Sequence, residues 1–311
     1  MYDKIRTNGL LQCACFLLIL VVGFSLGTDY FFSFNNLMTI LTASTVIGLM
    51  ALGATFVIAS GGIDLSTAAV MALAGVITAY FCKNYGLHPA LAMLMALGVG
   101  TCAGVLTGLL INITNAPSFI VTLGMYSIMR ALAFIISGGV PVYGLPESVL
   151  NLAQMSLFGI PAIVWLFICC VLLCFYLISL TRFGTHTLFM GDNHTAAQAL
   201  GLPVQKLRIR IFALAGALSG LAGFVFIART NSGDPTAGQS YELIAITAVI
   251  LGGANLFGGR ASIIGTAMGV LALGILQNGL NLMAISTFYQ ILFVGLVLLG
   301  SAFLRHERPS R

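Results

Sequence analysis

The sequence predicts an all-α, polytopic membrane protein with about ten transmembrane helices, one or two of them broken, and a short cytoplasmic helix. Of its 311 residues, 59% are hydrophobic and 7% are charged, whereas a soluble domain carries about 25% charged residues. The mean hydropathy is +1.06. Because roughly ten spans of about 20 residues use up this length, residues 1–311 are expected to form a single transmembrane domain.

Ten apolar segments are long enough to be spans or broken spans. The first follows a charged start, and no small-residue cleavage site is evident after it, so we expect a retained helix rather than a signal peptide. Ten spans place both termini on one side of the membrane. The predicted spans are Leu10–Gly27, Leu37–Ser60, Asp64–Phe81, Pro89–Ile113, Ser118–Ser137, Gly159–Leu180, Ile211–Ala228, Tyr241–Ala254, Ala261–Leu280 and Ser286–Leu304.

The basic residues predict the orientation, because Lys and Arg concentrate in cytoplasmic loops. The opposite side holds Lys83 and Arg229, and Arg130 falls within a span. The other basic residues lie on the side of the termini, which is therefore predicted to be cytoplasmic, and a net charge of +5 does not indicate nucleic-acid binding. They are Lys4, Arg6, Arg182, Lys206, Arg208, Arg210, Arg260, Arg305, Arg308 and Arg311.

The polar segment Thr181–Arg210 is the longest polar interruption of this apolar sequence. Asp192 or Asn193 is able to cap a helix, because either side chain accepts hydrogen bonds from the N–H groups of a first turn. His194–Leu200 suits a helix of about two turns, and Gly201 with a proline soon after it is a typical stop. Since this helix is too short and polar to span a bilayer, we interpret it as a docking element for another protein.

Two glycine-rich interruptions predict broken helices. One is SGGIDLS at Ser60–Ser66, and the other is GGANLFGG at Gly252–Gly259. Broken helices at membrane depth require adjacent protein or a water-filled path. An apolar run flanks each interruption on both sides, which suggests an internal repeat.

Asp64 and Arg130 lie within predicted spans, where a charged residue is costly and is a functional candidate by default. Asp64 could handle substrate or protons, but we favour a cap of the following helix, assisted by Ser66. Arg130 could reach the membrane surface, pair with an acid or line a cavity. We favour the structural interpretations of Arg130 over substrate binding.

Two polar regions are predicted on the external side. The segments Gly138–Phe158 and Thr230–Ser240 form a cap and a loop, and Glu242 begins the helix that follows, where the helix dipole favours a carboxylate. Glu242 is therefore placed to meet an external partner.

A cluster of polar residues surrounds the turn between the last two spans, and its neutral groups suit either a hydroxyl-rich solute or hydrogen bonds between helices. It consists of Gln277, Asn278, Asn281, Tyr289 and Gln290.

Glycines recur at four-residue spacing, which lets helix backbones approach closely in a membrane. Packing within one subunit explains these stripes, and we favour it over a dimer interface. The stripes are Gly100, Gly104 and Gly108; Gly216 and Gly220; and Gly265 and Gly269.

The sequence lacks the motifs of several enzyme classes. Without a GxxxxGK[ST] phosphate loop, the chain is not expected to hydrolyse ATP by that route. HExxH and GxSxG are also absent, and His186 and His194 are better explained as solvated or docking residues than as metal ligands. We therefore expect neither an enzyme nor a metal site.

Five stretches carry a resemblance that extends in order over nearly the whole chain. The chain resembles the permease subunits of bacterial ATP-binding-cassette (ABC) importers for monosaccharides, of the ribose, arabinose, xylose and allose type. Its departures from the usual pattern include Asp192 before Asn193, Pro203, and Ile244 where an acid is usual. The stretches are Gly48–Ser66, Ala116–Ala133, Thr181–Gly201, Pro235–Gly259 and Gln277–Gln290.

The resemblance implies a permease domain in the bacterial inner membrane that pairs with a second permease subunit, an ABC ATP-binding subunit and a periplasmic sugar-binding protein. It implies no cofactor in this chain, because ATP binds to partner subunits. Asp234 and Glu242 would lie where the binding protein docks. The helix that contacts the ATPase would comprise Asn193, His194, Thr195, Ala196, Ala197, Gln198, Ala199, Leu200 and Gly201. The translocation path would include Asp64, Ser66, Gln277, Asn278, Asn281, Tyr289 and Gln290.

Three alternatives remain at this point. The importer could carry a branched amino acid, a nucleoside or a signalling furanose. A self-sufficient secondary transporter would use an ion gradient, with Asp64 as the coupling carboxylate. A structural membrane scaffold is disfavoured by the broken helices.

Overall fold

The computed structural model describes residues 9–304, so Lys4, Arg6, Arg305, Arg308 and Arg311 of the orientation argument lie outside the described residues. The helices are α1 (Gly9–Gly27), α2 (Phe34–Ala59), α3 (Thr67–Tyr85), α4 (Pro89–Thr114), α5 (Ser118–Ser137), α6 (Glu147–Gln154), α7 (Ala162–Leu180), α8 (Arg182–Asp192), α9 (His194–Ala199), α10 (Val204–Thr230), α11 (Tyr241–Leu251), α12 (Ile263–Leu282) and α13 (Thr287–Leu304). Two short antiparallel pairs join β1 (Val142–Tyr143) to β4 (Ser232–Gly233), and β2 (Ser156–Leu157) to β3 (Ile160–Pro161).

Eight of these helices are long and apolar enough to cross a membrane, namely α1, α2, α3, α4, α5, α7, α10 and α12. Helix α11 and the segment Thr287–Ser301 of α13 are shorter apolar helices. The all-α, multi-pass class is therefore confirmed, and the glycine-rich interruptions do break the helical path: no helix includes Ser60–Ser66 or Gly252–Ser262. We call these segments the first break and the second break.

Several helix boundaries differ from the sequence-based prediction. The span predicted at Ile211–Ala228 is the 27-residue helix α10, because Pro203 precedes its first turn and the basic residues after it are good helix formers. Helix α11 ends at Leu251 rather than Ala254, because Gly253 adopts a φ of +107°, a conformation that ends a helix. Helices α6 and α8 were not predicted.

The glycine stripes pack helices of this one chain against each other. A Cβ atom added at Gly100 or Gly104 would clash with the backbone of α10, and one added at Gly216 would clash with the backbone of α4. One added at Gly269 would clash with the backbone of α11. The intrachain interpretation of the stripes is therefore confirmed, since these positions hold neighbouring backbones in direct contact.

The bundle has two ends, which the long helices define. The polar segment ends in the first turns of α10. The Gly259 N–H, in the second break, donates to the Ala59 carbonyl at the end of α2 over 3.0 Å. Both breaks and the polar segment thus share one end, which we call the basic end. Since α2 and α10 each span about 40 Å, the start of α2 and the loop after Thr230 lie at the far end.

Candidate functional site

The polar segment folds into two capped helices at the basic end. The Thr181 hydroxyl accepts from the Gly184 N–H over 3.4 Å and begins α8. Asn193, rather than Asp192, caps α9, because its Oδ1 accepts from the Ala196 N–H over 2.9 Å. Gly201 ends the element with a φ of +76°, the left-handed conformation that glycine adopts readily.

Helix α9 is attached to the ends of two long helices. The His194 Nε2 lies 3.1 Å from the Arg208 Nη2 on α10. Arg208 Nη1 donates to the Asn112 Oδ1 on α4 over 2.8 Å, and Asn112 Nδ2 donates to the Gln205 carbonyl over 2.9 Å. A displacement of α9 would therefore pull on α4 and α10.

The predicted docking residues differ in what they offer to a partner. Ala197 is fully buried, whereas the Leu200 side chain is 72% exposed. Ala196 is half-buried. Ala197 therefore anchors α9 to the bundle, and Leu200 presents apolar surface outward. The exposed remainder of the predicted set is Asn193, His194, Thr195, Gln198, Ala199 and Gly201.

Gly191, near the end of α8, lies directly against both breaks. A Cβ atom added there would clash with the Ala59 carbonyl and would lie 2.7 Å from the Gly259 nitrogen. Gly61 and Gly258 pack against the same glycine from the two breaks. The structure thus brings the polar segment, the first break and the second break together, and only a residue without a side chain fits between them. The sequence analysis did not single out this glycine.

The first break is held by hydroxyl groups of α5. The Ser118 Oγ accepts from the Ile63 N–H over 2.9 Å, and the Thr122 Oγ1 accepts from the Leu65 N–H over 3.2 Å. These bonds satisfy backbone groups that the break removes from helical bonding. Sequence reasoning did not predict roles for Ser118 and Thr122. The only sequence feature that pointed to them is that both lie in Ala116–Ala133, one of the stretches that carry the family resemblance.

Asp64 is buried within the first break and is bonded to Ser66. Its Oδ1 accepts from the Ser66 N–H over 2.8 Å and from the Ser66 hydroxyl over 2.6 Å. Ser66 is the residue immediately before α3. The carboxylate therefore shapes the turn that leads into α3. It does not cap the helix as predicted, because its bonds go to Ser66 rather than to the N–H groups of the first turn.

The second break is held mainly by its own backbone. The Asn255 N–H donates to the Arg260 carbonyl over 2.9 Å, and the Gly258 N–H donates to the Asn255 carbonyl over 3.0 Å. Gly258 and Gly259 have φ values of +93° and +78°. The result is a tight turn that depends on glycine conformations and on backbone hydrogen bonds, including that of Gly259 to Ala59 of α2.

The polar cluster predicted for the path lies at the far end. Asn278 and Asn36 exchange two amide hydrogen bonds of 2.8 and 3.0 Å. Gln290 Nε2 donates to the Asn281 Oδ1 over 2.7 Å. Gln277 is half-buried and Tyr289 is 60% exposed. Because Asn36 lies at the opposite end of α2 from the first break, this cluster is separated from Asp64 and Ser66 by about 35 Å along that helix.

The two acids predicted to meet an external protein lie in the loop after α10 (Asp234) and in the first turn of α11 (Glu242). Asp234 Oδ1 accepts from the Thr236 N–H and hydroxyl, both over 2.7 Å, so part of this carboxylate shapes its own turn. Arg130 Nη1 donates to the carbonyls of Pro235 and Ala237 over 2.7 and 2.9 Å. Arg130 therefore holds this loop against α5.

Comparison with known proteins decides the family. The family described as "Branched-chain amino acid transport system / permease component" matches residues 36–302. The chain belongs to this permease family. No solved structure matches it.

Relatives of this permease match it along most of their length. The ribose import permease protein RbsC of Escherichia coli (strain K12) is 37% identical over 296 residues, which cover 94% of this chain and 92% of the relative. The L-arabinose transport system permease protein AraH of the same strain is 36% identical over 302 residues, covering 94% and 89%. The D-allose transport system permease protein AlsC is 34% identical over 292 residues, covering 93% and 89%.

The permease shows no arrangement typical of a metal centre in residues 9–304: no group of three or more His, Cys, Asp or Glu side chains there could hold an ion. Its relatives are named as transport proteins. The site consists instead of a short helix, α9, that is attached to the bundle and exposes the apolar residue Leu200. The preceding helix α8 contacts both breaks through Gly191.

Proposed function

We propose that this permease is the transmembrane subunit of an ABC importer and forms the translocation path for a pentose or hexose. The observation that carries the proposal is the contact of the polar segment with both breaks through Gly191. The names of the relatives, which specify ribose, arabinose and allose, support a sugar as the solute.

In this proposal, α9 receives force from the ABC ATP-binding subunit. The exposed Leu200 contacts the ATP-binding subunit, and the buried Ala197 packs α9 against the bundle, so that a movement of α9 also moves the bundle. The contact of α8 with the breaks then couples movement of α9 to the ends of α2, α3, α11 and α12. Helices that end at a break can reorient independently of their continuation, which alternating access requires.

The proposed orientation places α9 and both termini in the cytoplasm of a bacterium, with the chain in its inner membrane. A periplasmic sugar-binding protein docks at the far end, near Asp234 and Glu242, and a second permease subunit completes the path. The amides at the far end, together with Asp64 and Ser66 at the basic end, contact the sugar briefly. This chain holds no cofactor and performs no catalysis, since ATP binds to the partner.

An ion-coupled transporter fits the site less well. Its coupling carboxylate would be Asp64, yet one oxygen of that carboxylate accepts two hydrogen bonds from Ser66. A branched amino acid as solute is compatible with the family description. The melting temperature of the cognate binding protein, measured with pentoses, hexoses and branched amino acids, distinguishes these solutes, because only the solute that binds raises it.

The coupling role of α9 is tested by Leu200→Asp in the complete reconstituted importer. Because Leu200 is exposed, the subunit should fold normally, while a buried charge at the interface should lower ATP-driven uptake by at least about tenfold. Leu200→Met, which keeps an apolar side chain, should transport normally. Wild-type uptake and ATP hydrolysis by Leu200→Asp would exclude this docking surface.

A further inference from the structure

Arg130 is buried, and within the described residues only one edge of its guanidinium group makes hydrogen bonds. The residue is 8% exposed, and its guanidinium lies 5.4 Å from the centre of the Tyr126 ring. Nη1 binds two carbonyls of the loop after α10, whereas Nε and Nη2 are buried and have no hydrogen-bond partner within residues 9–304. Unsatisfied donors of a buried charge are strongly unfavourable.

The two unsatisfied nitrogens form a specific binding shape. Nε–H and Nη2–H point from the same edge of the guanidinium plane, so together they match the two oxygens of a carboxylate. The other edge is already used by Pro235 and Ala237. The open edge is therefore suited to an acid that approaches without displacing the loop.

Glu242 is the acid that fits this edge. It lies in the first turn of α11, five residues after Ala237, whose carbonyl accepts a hydrogen bond from Arg130 Nη1. Its Oε2 is buried and accepts no hydrogen bond from the described part of the chain. The nearby Asp234 is a poorer candidate, because its Oδ1 is bonded twice to Thr236.

Helix α11 is packed tightly in its second half and less tightly at its first turn. A Cβ atom added at Gly269 of α12 would clash with the Ala248 carbonyl, and Ala245–Leu251 are buried. The first turn is less buried and follows Ser240, a non-glycine residue with a φ of +67°. A residue in that left-handed region stores strain, so movement relative to α5 is expected at the first turn of α11 and in the loop before it.

We propose that Arg130 and Glu242 form a bidentate ion pair in one state of the transport cycle and separate in another, which makes Arg130 a positioning residue that closes the far end of the path. In the state described here, Arg130 holds the loop, while its Nε and Nη2 and the Glu242 Oε2 have no hydrogen-bond partner within residues 9–304. A shift of the first turn of α11 and of the preceding loop towards α5 completes the pair. The inference rests on the proposed function, because it assigns this closure to a step of alternating access.

The test is a double-mutant cycle of Arg130→Gln and Glu242→Gln in the complete importer, reconstituted with its ATPase and sugar-binding protein. The measurements are sugar uptake and the stimulation of ATP hydrolysis by loaded binding protein. Each single change should lower both by roughly tenfold, and the double variant should be no worse than the worse single variant. Effects that multiply in the double variant, or a Glu242→Gln protein with wild-type uptake, would overturn the proposal.

A second pair of measurements separates gating from folding. Arg130→Lys keeps the charge but not the two parallel donors, so its uptake should fall as that of Arg130→Gln does. Melting temperatures identify any variant that fails to fold, for which the Glu242→Gln result decides. Asp29→Asn, a change at an exposed acid between α1 and α2, is the matched control and should leave both readouts unchanged. Sugar uptake by the wild-type protein without ATP would instead contradict the proposed function itself.

Discussion

The two breaks meet at the same glycine but are stabilised in different ways. The first is fastened by side chains, because Ser118 and Thr122 of α5 bind its backbone and Asp64 binds Ser66. The second is fastened by backbone hydrogen bonds, within a turn that uses left-handed glycines and to Ala59 of α2. The comparison teaches that a break in a helix can be held mainly by side chains or mainly by backbone groups, and these two modes respond differently to mutation.

The largest effect is expected where the breaks converge. Gly191→Ala introduces a Cβ atom into the backbone of Ala59 and Gly259, and overpacking of this kind costs roughly 1–3 kcal/mol. Both breaks should be displaced from α8, so the melting temperature in detergent should fall and ATP-driven uptake should be lost. Gly124→Ala is the matched control, since no heavy atom lies within 4 Å of its added Cβ. A Gly191→Ala protein with normal stability would show that the close approach is not required.

The next largest effect is expected at the carboxylate of the first break. Asp64→Ala removes the acceptor of two buried hydrogen bonds, which costs about 2 kcal/mol for a charged group. Asp64→Asn keeps an oxygen acceptor and should retain most of the stability and the uptake. Complete loss of uptake in a well-folded Asp64→Asn protein would contradict a purely structural role of Asp64 in this turn and would favour ion coupling.

A smaller loss is expected at the hydroxyl that α5 contributes. Thr122→Val preserves the shape but removes the bond to the Leu65 N–H, and an unsatisfied buried donor costs about 1–2 kcal/mol. Thermal unfolding measures this loss. Ser127→Ala provides the comparison on the same helix, because Ser127 is exposed and bonds only to its own helix over 3.4 Å. Equal losses in the two variants would show that α5 does not specifically hold the first break.

The smallest effect is expected in the second break. Asn255→Ala removes the acceptor of the Phe257 N–H, but Asn255 is exposed and its backbone bonds remain, so the cost should be about 0.5 kcal/mol. The same thermal measurement applies. A loss larger than that of Thr122→Val would reverse the comparison, because it would mean that a side chain also controls the second break.

Sequence reasoning predicted where the elements of the site lie in the chain better than how they pack against each other. The helix at His194–Ala199 was predicted from its cap and stop residues, because those signals act within a few positions of the chain. Ala197 and Leu200 were predicted as equivalent docking residues, but one is buried and the other exposed. On a helix of six residues, which side faces the bundle depends on the attachment of its ends, and no local pattern specifies it.

Arg130 illustrates the same limit. Its position in an apolar span predicted a structural pair, a surface position or a cavity, and the structure instead gives bonds to two carbonyls more than a hundred residues away in sequence. Such partners come from loop geometry, which composition does not encode.

The sequence by itself determined the all-α membrane class, the positions of both breaks and the capped helix in the polar segment. Each of these follows from hydropathy or from the conformational preferences of glycine, proline and capping residues, which act over short stretches. Only the tertiary structure decided that α8 touches both breaks and that the predicted path residues fall into two groups at opposite ends of α2. Those relations depend on how long helices pack side by side, where the fit of single glycines sets which backbones meet.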